Sequence, residues 1–230
     1  MMLSVALLLV SYTWAQTAEE IATKHIQAIG GKDLVSQVSS VYTEGTVEIM
    51  GGSSPSIVTI LNGKGFKNEL DFNGSKIVRC ITDKGGWMIN PMMGAPEAQA
   101  ISTEDFNAEK EAIYTGGPLY NYAEKGSKIE LLPNQKTGDI NTYIIKLITD
   151  VGVEYTFSID PSTYYILKTE KVSGGNLTTY IFSDYRKTDL GFVMPYAAEI
   201  TLPQGFTINT TVSKVEINKA VDPVIFEMPK

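Results

Sequence analysis

Apolar residues recur every three or four positions from Ala18 to Val38, and from Val41 to about Ile217 they fall at every second position. In the first stretch Ile21, Ala22, Ile26, Ala28 and Ile29 share one face of a helix, and Glu19 and Glu20 occupy the first turn, where the helix dipole favours negative charge. Gly30-Gly31 ends that helix, and a second, from Lys32 to about Ser39, turns Leu34, Val35 and Val38 inward. Where the period shortens to two, strands are predicted at about 41–50, 56–62, 65–72, 76–83 and 86–90, with Asn62-Gly63 and Asn73-Gly74 as hairpin turns. A second run follows at about 127–133, 140–150, 153–160, 163–171, 176–186, 192–202 and 205–217.

Between the two runs, Asn90 to Tyr122 carries Pro91, Pro96, Gly116-Gly117 and Pro118, a composition expected to exclude regular strand. One helix is predicted inside it, Thr103 to about Ile113, capped by Ser102 with Asp105 three residues on and stapled by Ile101 and Phe106. The tail from Val221 to Pro229 is expected to be pinned by Val224, Ile225 and Phe226.

Alternation assigns each strand one apolar and one wet side. Tyr155, Phe157 and Ile159 face one way, and Glu154, Thr156, Ser158 and Asp160 the other. About a dozen antiparallel strands exceed what a flat sheet holds, so the fold class is mainly β, with a curled sheet that has an apolar inside. The helices at 17–40 and the insertion at 90–122 are the available covers, and no linker divides residues 17–230, which read as one domain.

Composition narrows the partners. The 19 basic and 26 acidic residues give a net charge of -7 and no run of Lys or Arg, which argues against nucleic acid and anionic membrane surfaces. Residues 1–16 read as a signal peptide, with an apolar core from Leu3 to Val10 and a cut after Ala15 or Gln16, and no later stretch is apolar enough to span a membrane. Cys80 is the only cysteine, so an exported chain without an internal disulfide is expected, and a bacterial periplasm is its expected location.

Candidate chemistry is sparse. His25 lies beside the apolar stripe of the first helix, no second His accompanies it, and it reads as a packed histidine. Cys80, mid-strand, reads as a small buried hydrophobe. Glu44 and Glu48 share a strand face and read as outward, solvated carboxylates, as an alternative to an acid/base pair. No catalytic residue, metal or cofactor is expected, and the chain is expected not to be an enzyme.

Five segments resemble a known family. HIQAIGGKDLVSQVSSV (His25 to Val41), YTEGTVEIMG (Tyr42 to Gly51), GGWMINPMMG (Gly85 to Gly94), SDYRKTDLGFVMPY (Ser183 to Tyr196) and KVEINKAVDPVIFEMP (Lys214 to Pro229) are similar to the exported lipoprotein-sorting proteins of the LolA type. The resemblance implies a highly curved, incomplete antiparallel barrel covered by short helices, with lipid or lipoprotein acyl chains in an apolar cavity during passage through the periplasm. Carriers of this type latch their lid with an arginine near the start of the barrel, whereas here the strands contain none before Arg79.

On that reading the expected ligand-binding residues are Phe66, Leu70, Phe72, Trp87, Ile89, Met92, Met93, Phe106, Tyr155, Phe157 and Ile181. Trp87 to Met93 concentrates an aromatic ring and three flexible thioethers at a strand end, where a pocket mouth would lie. The expected partners are therefore lipid or lipoprotein acyl chains and a membrane-complex protein. The alternative is a ligand-free interaction module whose cavity is filled by its own side chains and whose sheet edge or insertion docks a partner protein.

Overall fold

The computed structural model describes residues 16–72 and 74–229. The predicted leader, up to residue 15, and Asn73 of the second Asn-Gly turn lie outside the described residues. Helix α1 (Ala18–Ala28) starts at a capping box, in which Thr17 accepts from the Glu20 amide and the Glu20 side chain returns to the Thr17 amide. It ends at Gly30 and Gly31, both at positive φ, and α2 (Lys32–Gln37) follows.

The strands are β1 (Ser40–Ile49), β2 (Gly52–Leu61), β3 (Gly65–Phe72), β4 (Ser75–Thr82), β5 (Gly86–Asn90) and β6 (Ala95–Ala100). After α3 (Thr103–Glu109) and a 3-10 turn, Lys110–Ile113, come β7 (Lys128–Thr137), β8 (Ile140–Ile148), β9 (Glu154–Ile159), β10 (Ile166–Ser173), β11 (Asn176–Lys187), β12 (Val193–Thr201) and β13 (Thr207–Ile217). They form one 13-stranded antiparallel sheet in the order β6-β5-β4-β3-β2-β1-β13-β12-β11-β10-β9-β8-β7, so the first and last strands meet at the centre and β6 and β7 are its edges. The expected mainly-β, open, curved architecture is present.

Strand β6 corrects the expectation that the insertion excludes strand. Proline is tolerated there because β6 is an edge, and Pro96 falls where the β5–β6 register shifts, so its missing N–H breaks no ladder bond. Ser102 caps α3 as expected, accepting from the Asp105 amide at 3.0 Å.

Among the described residues, one of the sheet's four register irregularities lies at the central seam. A bulge between Glu44 and Gly45 interrupts the β1–β13 register, and a methyl group at Gly45 would collide with the Thr211 carbonyl, so only glycine lets the strands approach this closely.

Two layers cover the sheet on opposite faces. On the concave face α1 places Ile21 and Ala22 against Ile145, Leu147, Tyr155 and Phe157, while Val35 and Val38 of the α2 region pack with Val41 and Phe192. On the convex face the C-terminal tail lies across β2 to β5: Phe226, 4% exposed, packs with Val78, Cys80 and Trp87. The Phe226 carbonyl accepts from the Trp87 indole at 2.8 Å and from the Cys80 thiol at 3.4 Å. Its ring lies flat on Gly65, where an added Cβ would come within 2.6 Å.

His25 is buried on α1 and donates from Nδ1 to the Tyr164 carbonyl at 2.8 Å. Burial holds its pKa below the ordinary value of 6.5, against the smaller opposing pull of that hydrogen bond.

Two predictions follow from these covers. Phe226→Ala should cost about 3 kcal/mol in urea unfolding and shift the emission of Trp87, the only tryptophan after residue 16, to the red as water reaches the indole; unchanged emission would mean the tail does not seal that face. Because the unfolded chain takes up a proton on His25 as pH falls through 6.5 and the folded chain does not, stability should fall below that pH, approaching about 1.4 kcal/mol per pH unit until the folded pKa is reached. His25→Gln should remove that slope, measured as urea midpoints between about pH 7.5 and about pH 5.5.

Candidate functional site

Residues opposite each other in an antiparallel ladder project to the same side, so the concave face can be traced strand by strand. From Val41 under α2, one row runs outward through Ile60 and Phe66 to Ile81. Nearer the far end of β1, Ile49 opposes Ile208, and the row continues through Ile200, Tyr180, Thr169, Phe157 and Ile145 to Leu131. What lies over this face differs from place to place. The helices fill it over β8 and β9 and at the start of β1, whereas Phe66, Leu70, Phe72 and Ile77 on one arm and Tyr180, Phe182 and Ile200 on the other remain half-exposed. They line an apolar trough between the two arms of the sheet.

A crossbar spans the trough. Glu109, at the end of α3, takes a two-pronged ion pair from Arg79 on β4, with Nε at 2.8 Å from Oε2 and the second nitrogen at 2.6 Å from Oε1. Lys110 reaches Asp150 in the β8–β9 turn at 2.6 Å, and Glu104 lies against Gly174 in the β10–β11 turn. The helix is thus tied to both arms. Burial first, and then the charges of Glu111, Tyr180 and Glu109, raise the pKa of the Tyr155 phenol. Behind the crossbar Glu111 and Lys125 form a buried ion pair, with Lys125 also 4.8 Å above the Tyr114 ring.

The expected ligand-binding residues divide into four groups. Phe66, Leu70 and Phe72 lie on the concave face and half-exposed, and Phe106 is half-buried on α3. Tyr155 and Phe157 are on the same face but 7% and 1% exposed beneath α1, so the protein itself occupies that part of the hollow. Trp87 and Ile89 are corrected: Trp87 pairs with Cys80 and Ile89 with Val78, which puts both on the convex face beneath the tail. Ile181 is corrected likewise, since it opposes Lys168 and Glu199 on the convex side and is 44% exposed. Met92 and Met93 sit in an exposed 3-10 turn between β5 and β6, outside the trough wall.

Residues missed from sequence are Tyr180 and Phe182, one position either side of Ile181, and the polar ties of α3. The signal for the first pair was an aromatic at every second position of β11; the ties join positions far apart in sequence and left none. Open recesses elsewhere on the surface, one of about 330 Å³ between α1 and residues 119–124, involve none of the trough residues.

The titratable groups carry no thiolate or free imidazole. Burial pushes the Cys80 thiol up to about 12, so it stays protonated at any physiological pH. Glu44 is on the outer side of β1, paired to Lys214 at 3.0 Å.

No protein-family model matches the chain, and no curated protein matches it in sequence. Solved structures do match in shape. A LolA superfamily protein from Nitrosomonas europaea superposes with a TM-score of 0.60 at 15% identity over 94% of this chain and 99% of that one. A domain assigned as an outer membrane lipoprotein-sorting protein from Vibrio parahaemolyticus gives 0.59 at 15% identity over 90% and 95%. A DUF1329 family protein from Desulfovibrio piger gives 0.55 at 16% identity over 90% and 97%. Agreement along nearly the whole length of each chain, at such identity, is agreement of fold: this chain has the LolA-like fold, an open, strongly curved antiparallel sheet with a cover of short helices.

Proposed function

We propose that the chain is a non-enzymatic periplasmic carrier that holds lipid or lipoprotein acyl chains in the trough beneath α3. The observation that carries this reading is the set of large apolar side chains on the concave face, Phe66, Leu70 and Phe72 on one arm and Tyr180, Phe182 and Ile200 on the other, that the helices leave half-exposed. Water against Phe66, Leu70, Phe72, Tyr180 and Phe182 is unfavourable, and a flexible hydrocarbon chain is a ligand that fits a long trough without demanding directed polar contacts. An acyl chain of about fifteen carbons brings roughly 12 kcal/mol of transfer free energy, which a shuttle must nearly match to remove it from a bilayer. The fold shared with a lipoprotein-sorting domain supports the same ligand class.

Arg79 takes the role of the lid tie in this reading. Its pairing with Glu109 holds α3 across the trough, and release of that pair lets the helix swing aside for cargo. The alternative, a ligand-free module that docks a protein, draws support from the self-filled arm, where α1 covers Tyr155 and Phe157.

Displacement of a fluorescent fatty acid separates the two. The carrier reading expects saturable uptake that Leu70→Asp weakens by about a hundredfold, because a carboxylate in the trough wall must be desolvated by the hydrocarbon, while Ile181→Asp on the convex face leaves uptake unchanged. Glu109→Gln should speed probe release with little change in thermal stability. Absence of uptake by the unaltered protein would sink the carrier reading.

A further inference from the structure

Adjacent antiparallel strands send successive turns to opposite ends of the sheet, so the turns fall into two sets. The set at the helix-covered end comprises 62–64, 83–85, 138–139, 160–165 and 188–192, and each contains a charged residue: Lys64, Asp83 with Lys84, Asp139, Asp160 and Asp189. At the other end the turns 50–51, 91–94, 174–175 and 202–206 contain none, and the nearest charge to the 174–175 turn is Glu104 of α3, which lies against Gly174. Asp150 is a charge within a turn there, and it is paired with Lys110 of the crossbar.

The uncharged turns carry large apolar side chains into solvent. Met50 is 78% exposed, Met93 73%, Met92 64%, Phe206 50% and Leu177, next to the 174–175 turn, 47%, and the first three are the most exposed large hydrophobics among the described residues. By contrast Ile140 and Leu190, at the helix-covered end, are each 37% exposed. Met50 has φ 51, a left-handed conformation that favours asparagine or glycine at such a turn and disfavours a longer side chain. An apolar side chain therefore stands where both backbone and solvent prefer something else.

We infer that this rim docks on the surface of a neutral lipid bilayer, inserting the apolar turn tips between headgroups with the mouth of the trough facing the membrane. The geometry favours a bilayer over a protein surface. The tips are separate projections on different hairpins, and a stable protein interface needs a continuous packed patch. A fluid headgroup layer accepts separate wedges, and flexible methionines adapt to it. Charge favours a neutral bilayer over an anionic one, since the rim turns offer no Lys or Arg and the chain as a whole carries a net charge of -7. The inference does not require that the trough carry cargo.

Flotation with neutral phosphatidylcholine vesicles tests it, using protein recovered from the periplasmic fraction of an expressing bacterium. The unaltered protein should float with the vesicles, and raising the salt to about 0.5 M should not release it, because no ion pairs are involved. Met50→Asp and Phe206→Asp should each weaken binding by about tenfold or more, and the double variant should stay at the bottom of the gradient. Leu190→Asp, the same kind of change at the opposite end, should float normally. Met50→Gln and Phe206→Ser, with thermal melts matched to the unaltered protein, provide the same comparison if the aspartates impair folding. No flotation of the unaltered protein, flotation undiminished in the rim variants, or equal loss in Leu190→Asp would each overturn the inference. Fatty-acid uptake measured on the same variants should be retained, so a failure of the rim and a failure of the carrier reading give different results.

Discussion

Each strand pair in a twisted antiparallel sheet adds its increment of rotation, and a sheet of thirteen strands cannot remain flat. Here the accumulated turn does not close the sheet, because its edges, β6 and β7, do not pair with each other. The sheet therefore has two faces needing cover and two arms that must be held at a fixed separation. The bulge at Gly45 bends the seam between the first and last strands, the helices fill the concave end where the chain enters the sheet, and the tail closes the convex side.

The two arms solve the burial problem in opposite ways. The β7–β10 arm buries its concave side under α1, with Phe157, Ile145 and Leu147 at or near zero exposure. The β2–β5 arm instead buries its convex side, under Phe226, and leaves Phe66, Leu70 and Phe72 half-exposed within the hollow. A sheet that used both layers on one face would have no trough. The tail thus shapes the hollow indirectly: by stabilising the convex side of that arm, it allows the concave side to go uncovered.

How far this was legible in the sequence depended on the range of the interaction concerned. The period-two alternation and the Asn62-Gly63 turn located β2 and β3, and the cap at Ser102 located α3, because these signals act within a few residues. Facing was harder. Trp87 and Ile89 looked inward as large apolar residues, but the turn at 83–85 sets Cys80 opposite Trp87, and that register carries both to the other face. Their burial there depends on Phe226, 139 positions from Trp87, whose carbonyl satisfies the indole N–H. The tail packs by Val221, Ile225 and Phe226, while the expected Val224 is 54% exposed, and such a short apolar run gives no local sign of which face it will cover. In β11 parity decides the face: Ile181 points to the convex side, and its neighbours Tyr180 and Phe182, two aromatics in step, mark the half-exposed concave row.

Of the elements that cover the hollow, energetics single out which one can move. α1 buries Ala18, Ile21, Ala22 and His25, and lifting it would expose Phe157 and Leu147 as well, a cost of several kcal/mol at roughly 1.5 to 3 kcal/mol per large apolar side chain. α3 has no buried residue. It is held by Arg79–Glu109 and Lys110–Asp150, pairs whose side chains are from 23% to 49% exposed, and partly exposed pairs contribute on the order of 1 kcal/mol or less each. Thermal opening of the crossbar is therefore accessible while the α1 cover stays closed. Apart from the half-buried Phe106, the contacts that hold α3 are polar, so its departure strands little apolar surface of its own in water.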